Sequence, residues 1–292
     1  MPPRPPSAVP YVLAAPGHLA GGGDWEHLTE LLLRGHGWHN MSTIDQHTAL
    51  ASPDGRLHVV HQRRAGWTWN LRATDPDGRQ WEVLLGAHLP VEYVTAMVDT
   101  MRHPPTTSSS TVLDPLLEAG WIPDGTGPAS TAVSPDGLVR VTEESARHDA
   151  PRPWHAECAV NRYRWWTAAF STHTPPAVVT AFTRSLARED PLPRMAICMP
   201  MYGCGPYTRL ARTSHGWNDE QALLEARIAD ARADGPAGRR PLPRRRSPPR
   251  RLRPAVTADP RATAVPGPPH LLRPGALRTP HSPSYRTTSD HR

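Results

Sequence analysis

The chain contains no lysine: all 33 of its basic residues are arginine. That absence removes whole chemistries. A P-loop uses a Lys to reach nucleotide phosphates, a pyridoxal enzyme forms its Schiff base on one, and a protein kinase needs the Lys of its third strand. All three are excluded in their usual forms. Only three cysteines occur (Cys158, Cys198, Cys204), an odd number that provides no disulfide framework. No run of about 18 apolar residues exists, so no membrane span is expected. The apolar run at residues 12–15 is shorter than a signal-peptide core, and prolines interrupt its surroundings. A cytoplasmic protein is the expectation. Neither His-Glu-x-x-His nor Gly-x-Ser-x-Gly is found.

Charge is present but uneven. Residues 1–195 hold 16 Arg against 20 carboxylates, whereas from Arg239 onward 13 Arg face only Asp259 and Asp290. The body is therefore mildly acidic and the basic character belongs to a tail. Residues 235–292 carry 13 prolines and no periodicity, a composition that predicts disorder. Arg244, Arg245, Arg246, Arg250 and Arg251 are candidate phosphate contacts whose binding would fall steeply with salt. An unselected extension of a GC-rich coding sequence would look the same.

Ser-Pro-Asp-Gly occurs twice, at residues 52–55 and 134–137, an offset of 82. Other matches keep nearly the same offset. Gly37-Trp38 meets Gly120-Trp121, Trp69 meets Trp154, Trp81 meets Trp166, His88 meets His173, and Val94-Thr95-Ala96 meets Val179-Thr180-Ala181. This is a duplication, with repeats at about 11–104 and 112–190. Each repeat opens with a short helix, capped by Asp24 in the first and by Asp114 ahead of Pro115 in the second. Gly37 or Gly120 then stops it. Alternating patterns follow: Trp67, Trp69, Leu71, Ala73 and then Trp81, Val83, Leu85 in one repeat; Trp154, Ala156, Cys158, Val160 and then Trp166, Ala168, Phe170 in the other. Period two means half-buried antiparallel strands. A closing helix begins at Pro90 or Pro175, with apolar stripes Val91, Val94, Val98, Met101 and Val178, Val179, Phe182, Leu186. The predicted class is α+β: two tandem repeats, each a short helix, three to four antiparallel strands and a closing helix, packed with approximate twofold symmetry. Residues 191–234 are read as a linker with a helix over 219–233. Ser-Pro-Asp-Gly itself has the chemistry of a type I turn between strands.

The lead-in Tyr11-Val-Leu-Ala-Ala-Pro-Gly-His-Leu-Ala-Gly-Gly-Gly-Asp24, the Gly-Trp pairs, the Ser-Pro-Asp-Gly turns and the Pro-x-x-Val-x-Ala helices together resemble the domain of unknown function 317 family over residues 10–205. That family occurs largely in Streptomyces and related actinobacteria, often as two copies. The resemblance implies a repeat architecture and no known activity, so no functional residue carries over. The second repeat lacks the lead-in, which points to a segment serving the whole protein.

Several residues are candidates for chemistry. Gly21, Gly22 and Gly23 before a helix could turn backbone N–H groups toward an anion; a flexible entry to a capped helix is the competing reading. His88 and His173 sit at matched positions ahead of the closing helices, where a turn role competes with a binding role. Trp165 points away from the buried Trp face and is the candidate surface contact. His155-Ala-Glu157 has the His-x-Glu of zinc deaminases but no Pro-Cys-x-x-Cys follows. Cys198, Cys204 and His215 are too loosely spaced for an ordinary zinc site. No catalytic residue, metal ligand or cofactor is assigned. The expected function is a non-enzymatic binding or protein-interaction module with a protein partner. Nucleic-acid binding through the tail and an enzyme with a site between the repeats are the alternatives.

Overall fold

The computed structural model describes residues 10–43, 47–62, 67–75, 77–105, 111–124, 130–144, 153–198 and 205–234. The arginines assigned to phosphate contact, Cys204, and the side chains of Trp67 and His215 lie outside the described residues.

β1 (Pro10–Ala15) leads through a 3-10 turn (Gly17–Leu19) and the three glycines into α1 (Trp25–Glu30), which continues as one π-helical turn over Leu31–Gly35. Asp24 caps α1 as predicted, its carboxylate accepting the N–H groups of Glu26 and His27 at 3.1 and 3.2 Å. Five strands follow, β2 (His39–Asn40), β3 (His47–Ala51), β4 (Leu57–Gln62), β5 (Trp67–Thr74) and β6 (Gln80–Gly86), then α2 (Val91–Arg102). The second half repeats that order: α3 (Asp114–Glu118), β7 (Ile122–Pro123), β8 (Ser130–Val133), β9 (Val139–Glu143), β10 (Trp154–Val160), β11 (Tyr163–Phe170) and α4 (Pro176–Ala187). The chain then forms β12 (Leu192–Met195), β13 (Arg209–Gly216) and α5 (Trp217–Asp234).

Both halves build one antiparallel ten-stranded sheet, ordered β2-β3-β4-β5-β6-β11-β10-β9-β8-β7. The order is the same read from either edge. At its centre Val83 pairs with Phe170, Leu84 with Ala169, and Leu85 with Ala168. At an offset of 85, Leu85 corresponds to Phe170 and Val83 to Ala168. A half-turn about the Leu84–Ala169 pair therefore exchanges the outer two pairs, which is the symmetry expected from the duplication. Each repeat would expose the β6 or β11 edge alone, and pairing the two covers both edges.

Period two puts Trp69, Leu71, Trp81, Val83, Leu85 and their counterparts Ala156, Trp166, Ala168 and Phe170 on one buried face. Helices α2 and α4 pack side by side over it. Phe182 anchors the seam, with ring centroids 5.3 Å from Phe170, 6.3 Å from Trp166 and 6.1 Å from Tyr93. Each fully buried side chain of this size contributes about 1.5–3 kcal/mol. Cys158 is part of this core. Arg72 is exposed and Asn70, His155 and Glu157 are half-buried on the other face, as suits an antiparallel sheet with one solvated side.

The turns behave as the composition predicts. Gly55 donates to Ser52 O at 2.9 Å and Gly137 to Ser134 O at 2.8 Å, with φ of +70° and +72°. In both, the Ser hydroxyl bonds the Asp carboxylate at 2.5 Å. The hairpin at Asn161 and Arg162 has φ of +50° and +70°, the type I′ pattern that suits a two-residue connection.

Three expectations are corrected. Asp114 does not cap α3: it is the first helical residue, Leu113 occupies the cap position, and the carboxylate reaches back to the N–H and hydroxyl of Thr111. The chain turns one residue earlier than the Asp-Pro pair suggests. β1, counted with the first repeat, instead pairs with β12 and β13 in a separate three-stranded sheet. Residues 191–234 are accordingly more than a linker, since two of those strands and an 18-residue helix come from them.

Candidate functional site

Gly21, Gly22 and Gly23 all have positive φ, but their carbonyls are spent inside the protein. Gly21 O accepts from Arg194 Nε at 2.9 Å, and Gly22 O from the Val91 N–H at 2.8 Å. A Cβ on Gly23 would stand 2.6 Å from Val91 Cγ1. Because Asp24 takes the first N–H groups of α1, that helix end serves an internal carboxylate. Gly22, Gly23 and His88 do come together, lining a cavity of about 500 Å³ with Trp25, His61 and Trp69. Trp165 is half-buried and stacks on His88, ring centroids 4.1 Å apart, so it does not project as a free surface aromatic. His88 adopts φ +65° at the turn before α2, and burial pushes its pKa down. His173 is exposed; the two matched histidines do not share an environment.

A second cleft, of about 300 Å³, lies between α1, the start of α2, β12 and α5. Arg194, 4% exposed, forms a bidentate pair with Glu92 at 2.7 and 2.8 Å and also donates to Ala20 O and Gly21 O. His27 contacts Asp24 at 3.2 Å and Gln221 at 2.8 Å. Burial, with Glu220 and Asp24 adding to it, pushes the Tyr11 phenol up to about 12, the wrong direction for a base. Charges here compensate one another and tie the N-terminal strand to the closing segment. Among the described residues no group of three His, Cys, Asp or Glu side chains converges as a metal site.

The third feature comes as a matched pair. In the second repeat the lead-in enters the crevice between the Ser134-Pro-Asp-Gly137 turn, β11 and the helices. His18 Nε2 lies 2.9 Å from Asp136 Oδ2. The Trp166 indole donates to His18 O at 2.8 Å, Gly17 packs near the Tyr93 hydroxyl, and Leu19 is 0% exposed. Asp136, partly exposed in its turn, loses by desolvation but gains more from bonds to His18, Ser134 and the Leu138 N–H, which hold its pKa down at about 2. No described residue fills the corresponding crevice of the first repeat. It is a groove of about 500 Å³ walled by Ser52, Asp54, Trp81, Met101 and, across the symmetry axis, Pro175 and Val178. Asp54 Oδ1 makes the same turn bonds, to the Ser52 hydroxyl and the Arg56 N–H. Its Oδ2 has no counterpart to His18 among the described residues, and the Trp81 indole has no counterpart to His18 O.

The signal for this pair was in the sequence. Both Asp residues and both Trp residues occupy matched positions of the two repeats, and the lead-in has no match in the second. Contact between lead-in and second repeat spans 118 residues from His18 to Asp136, and no local pattern reports that.

The fold and the paired grooves define a tandem α+β repeat protein in which two domains share one sheet across a pseudo-twofold axis. The family model described as SPDY, a domain of unknown function (DUF317), matches residues 51–106 and 133–192. The two matched segments are consistent with two tandem copies of this domain. Each matched segment begins one residue before a Ser-Pro-Asp-Gly turn and ends beyond a closing helix, so the lead-in lies outside both. Neither the curated proteins nor the solved structures contain a match.

Proposed function

We propose that the chain is a binding module and that the open groove of the first repeat is its ligand-accepting surface. One observation carries this: of two equivalent grooves, one is filled by the chain's own Gly17-His18-Leu19 and the other is vacant of any described residue while keeping the same turn carboxylate and the same tryptophan. Apolar walls with a few convergent polar groups are what a ligand site needs. Panning a peptide-display library on the full chain tests the reading. Enriched peptides should compete with one another and lose at least tenfold in affinity to Ala177→Trp, which fills the groove from α4. Binders indifferent to that substitution would place the site elsewhere.

Nucleic-acid binding is the second reading, supported by the arginines of the tail. The solvated sheet face adds nothing to it, because Arg72, Arg140 and Arg164 are paired with Glu82, Asp124 and Glu157 at 3.6, 2.6 and 3.6 Å. DNA affinity that survives truncation after residue 234 unchanged would overturn this second reading.

A further inference from the structure

Resting on the reading of that groove as a binding site, we infer that it takes a tight turn of a partner protein in which a small residue, a histidine and a leucine-sized residue follow one another, as they do in the 3-10 turn Gly17–Leu19. Symmetry-related atoms are hydrogen-bonded in one groove and lack a described partner in the other. Around Asp136, Oδ1 receives the Ser134 hydroxyl and the Leu138 N–H, while Oδ2 receives the imidazole of His18. Around Asp54, Oδ1 receives the Ser52 hydroxyl and the Arg56 N–H in the same geometry, and Oδ2 has no hydrogen-bond donor among the described residues. The Trp166 indole N–H is satisfied by the backbone carbonyl of the same residue, His18. Trp81, its equivalent and only 5% exposed, lines the groove with its donor awaiting the same kind of carbonyl. A ligand that meets both groups must place a backbone C=O and a side-chain N–H donor on one residue. His18, in a 3-10 turn, does this in the second repeat. Burial of Leu19 beside it supplies the apolar half of the match, and the first groove offers Met101 and Val178 as the apolar wall.

The grooves also differ, and the difference bears on the partner. His36 and Arg102 stand where the second repeat has Ala119 and Ala187, and Arg102 donates to His36 Nδ1 at 2.6 Å. One end of the first groove is therefore narrower and more basic than its counterpart. A second copy of this chain is disfavoured as the occupant, because its own Leu19 is fully buried and would have to leave its seat. A different protein presenting the same chemistry pays no such cost.

The probe is a capped peptide, Ala-Ala-Pro-Gly-His-Leu-Ala-Gly, titrated into the full chain by calorimetry. Saturable one-to-one binding is expected, weakened at least tenfold by replacing the peptide's His with Ala and by Asp54→Asn in the protein. Asp136→Asn should leave the affinity unchanged. Asp54 is exposed in a surface turn, and an unaltered circular dichroism spectrum checks the fold of Asp54→Asn. Should that variant misfold, Ala177→Trp gives the same readout. No binding at about 1 mM peptide, where affinity would be below about 4 kcal/mol, overturns the inference, and so does binding lost in Asp136→Asn but kept in Asp54→Asn, which would mean that the peptide displaces the lead-in. A concentration-dependent dimer in sedimentation that free peptide dissociates would identify a second copy as the occupant and also overturn it. Library peptides of unrelated sequence that are blocked by Ala177→Trp, together with a silent Gly-His-Leu probe, would reject this ligand chemistry while leaving the groove as the binding site.

Discussion

Replacing Asp54 and Asp136 separately by Ala makes an internally controlled measurement of what the lead-in contributes. Both substitutions remove the same two turn bonds, Ser Oγ to Asp at 2.5 Å and a backbone N–H two residues on. Both leave the Gly N–H to Ser C=O bond of the turn in place. The turn losses should cancel in the comparison. What remains is the His18–Asp136 contact at 2.9 Å, absent from the first repeat. A net hydrogen bond is worth about 1 kcal/mol, rising toward about 2 when one partner is charged. Asp136 is a third exposed on its side chain, which places the expectation near the lower figure. Asp136→Ala should therefore destabilise the protein by about 1 kcal/mol more than Asp54→Ala, read as the shift in urea midpoint at pH 7 at constant slope. Adding His18→Ala closes a double-mutant cycle whose coupling should equal that difference. Equal costs for the two Asp substitutions, with no coupling to His18, would refute the claim that the lead-in is held in the second groove.

Other consequences follow from the same packing. Leu19→Ala should cost about 2–5 kcal/mol, measured by chemical denaturation, and a loss below 1 kcal/mol would mean that the lead-in is not part of the core. Arg194→Met strands Glu92 and three backbone carbonyls, those of Ala20, Gly21 and Pro193; breaking a buried pair costs about 3–5 kcal/mol, and the partial exposure of Glu92 puts the expectation at the low end, again read from denaturant midpoints. Burial, followed by Arg102 and His103, pushes the His36 pKa from 6.5 down to about 4. The unfolded chain therefore takes up that proton first, so the stability this group contributes is complete above pH 6.5 and is lost as pH falls toward 4. His36→Gln should flatten that part of the stability–pH curve; comparing the two curves cancels Asp99, whose pKa is raised by burial and acts with the opposite sign.

The sheet halves were legible in the sequence because each strand buries one face. Trp69 to Ala73, Trp81 to Leu85 and Trp166 to Phe170 all alternate as the period requires, and the helices reveal themselves by stripes at three- and four-residue spacing. The joining of β6 to β11 was legible only as an expected symmetry, since strand pairing is a matter of edges and registers that composition does not encode. Trp165 shows the limit of parity: it lies on the predicted face, yet a neighbouring strand end brings His88 over it. The glycine run misleads in the same way. The run reads as N–H groups facing an anion or as a flexible helix entry, but whether N–H or C=O groups turn outward depends on Arg194, 173 residues beyond Gly21 in the chain. Asp114 fails for a local reason, because Asp before Pro can bond backward to Thr111 as readily as forward. The matched grooves needed both sources, the duplication from sequence and the lead-in's path from the fold.

One groove is closed by Gly17-His18-Leu19, and its twin is filled by no described residue. Hydrogen exchange of the tryptophan indole N–H groups, followed by NMR, reads this directly. The Trp166 indole, bonded to His18 O, should exchange slowly, and the Trp81 indole at least tenfold faster until a groove ligand protects it. Equal protection of the two in the free protein would contradict the account.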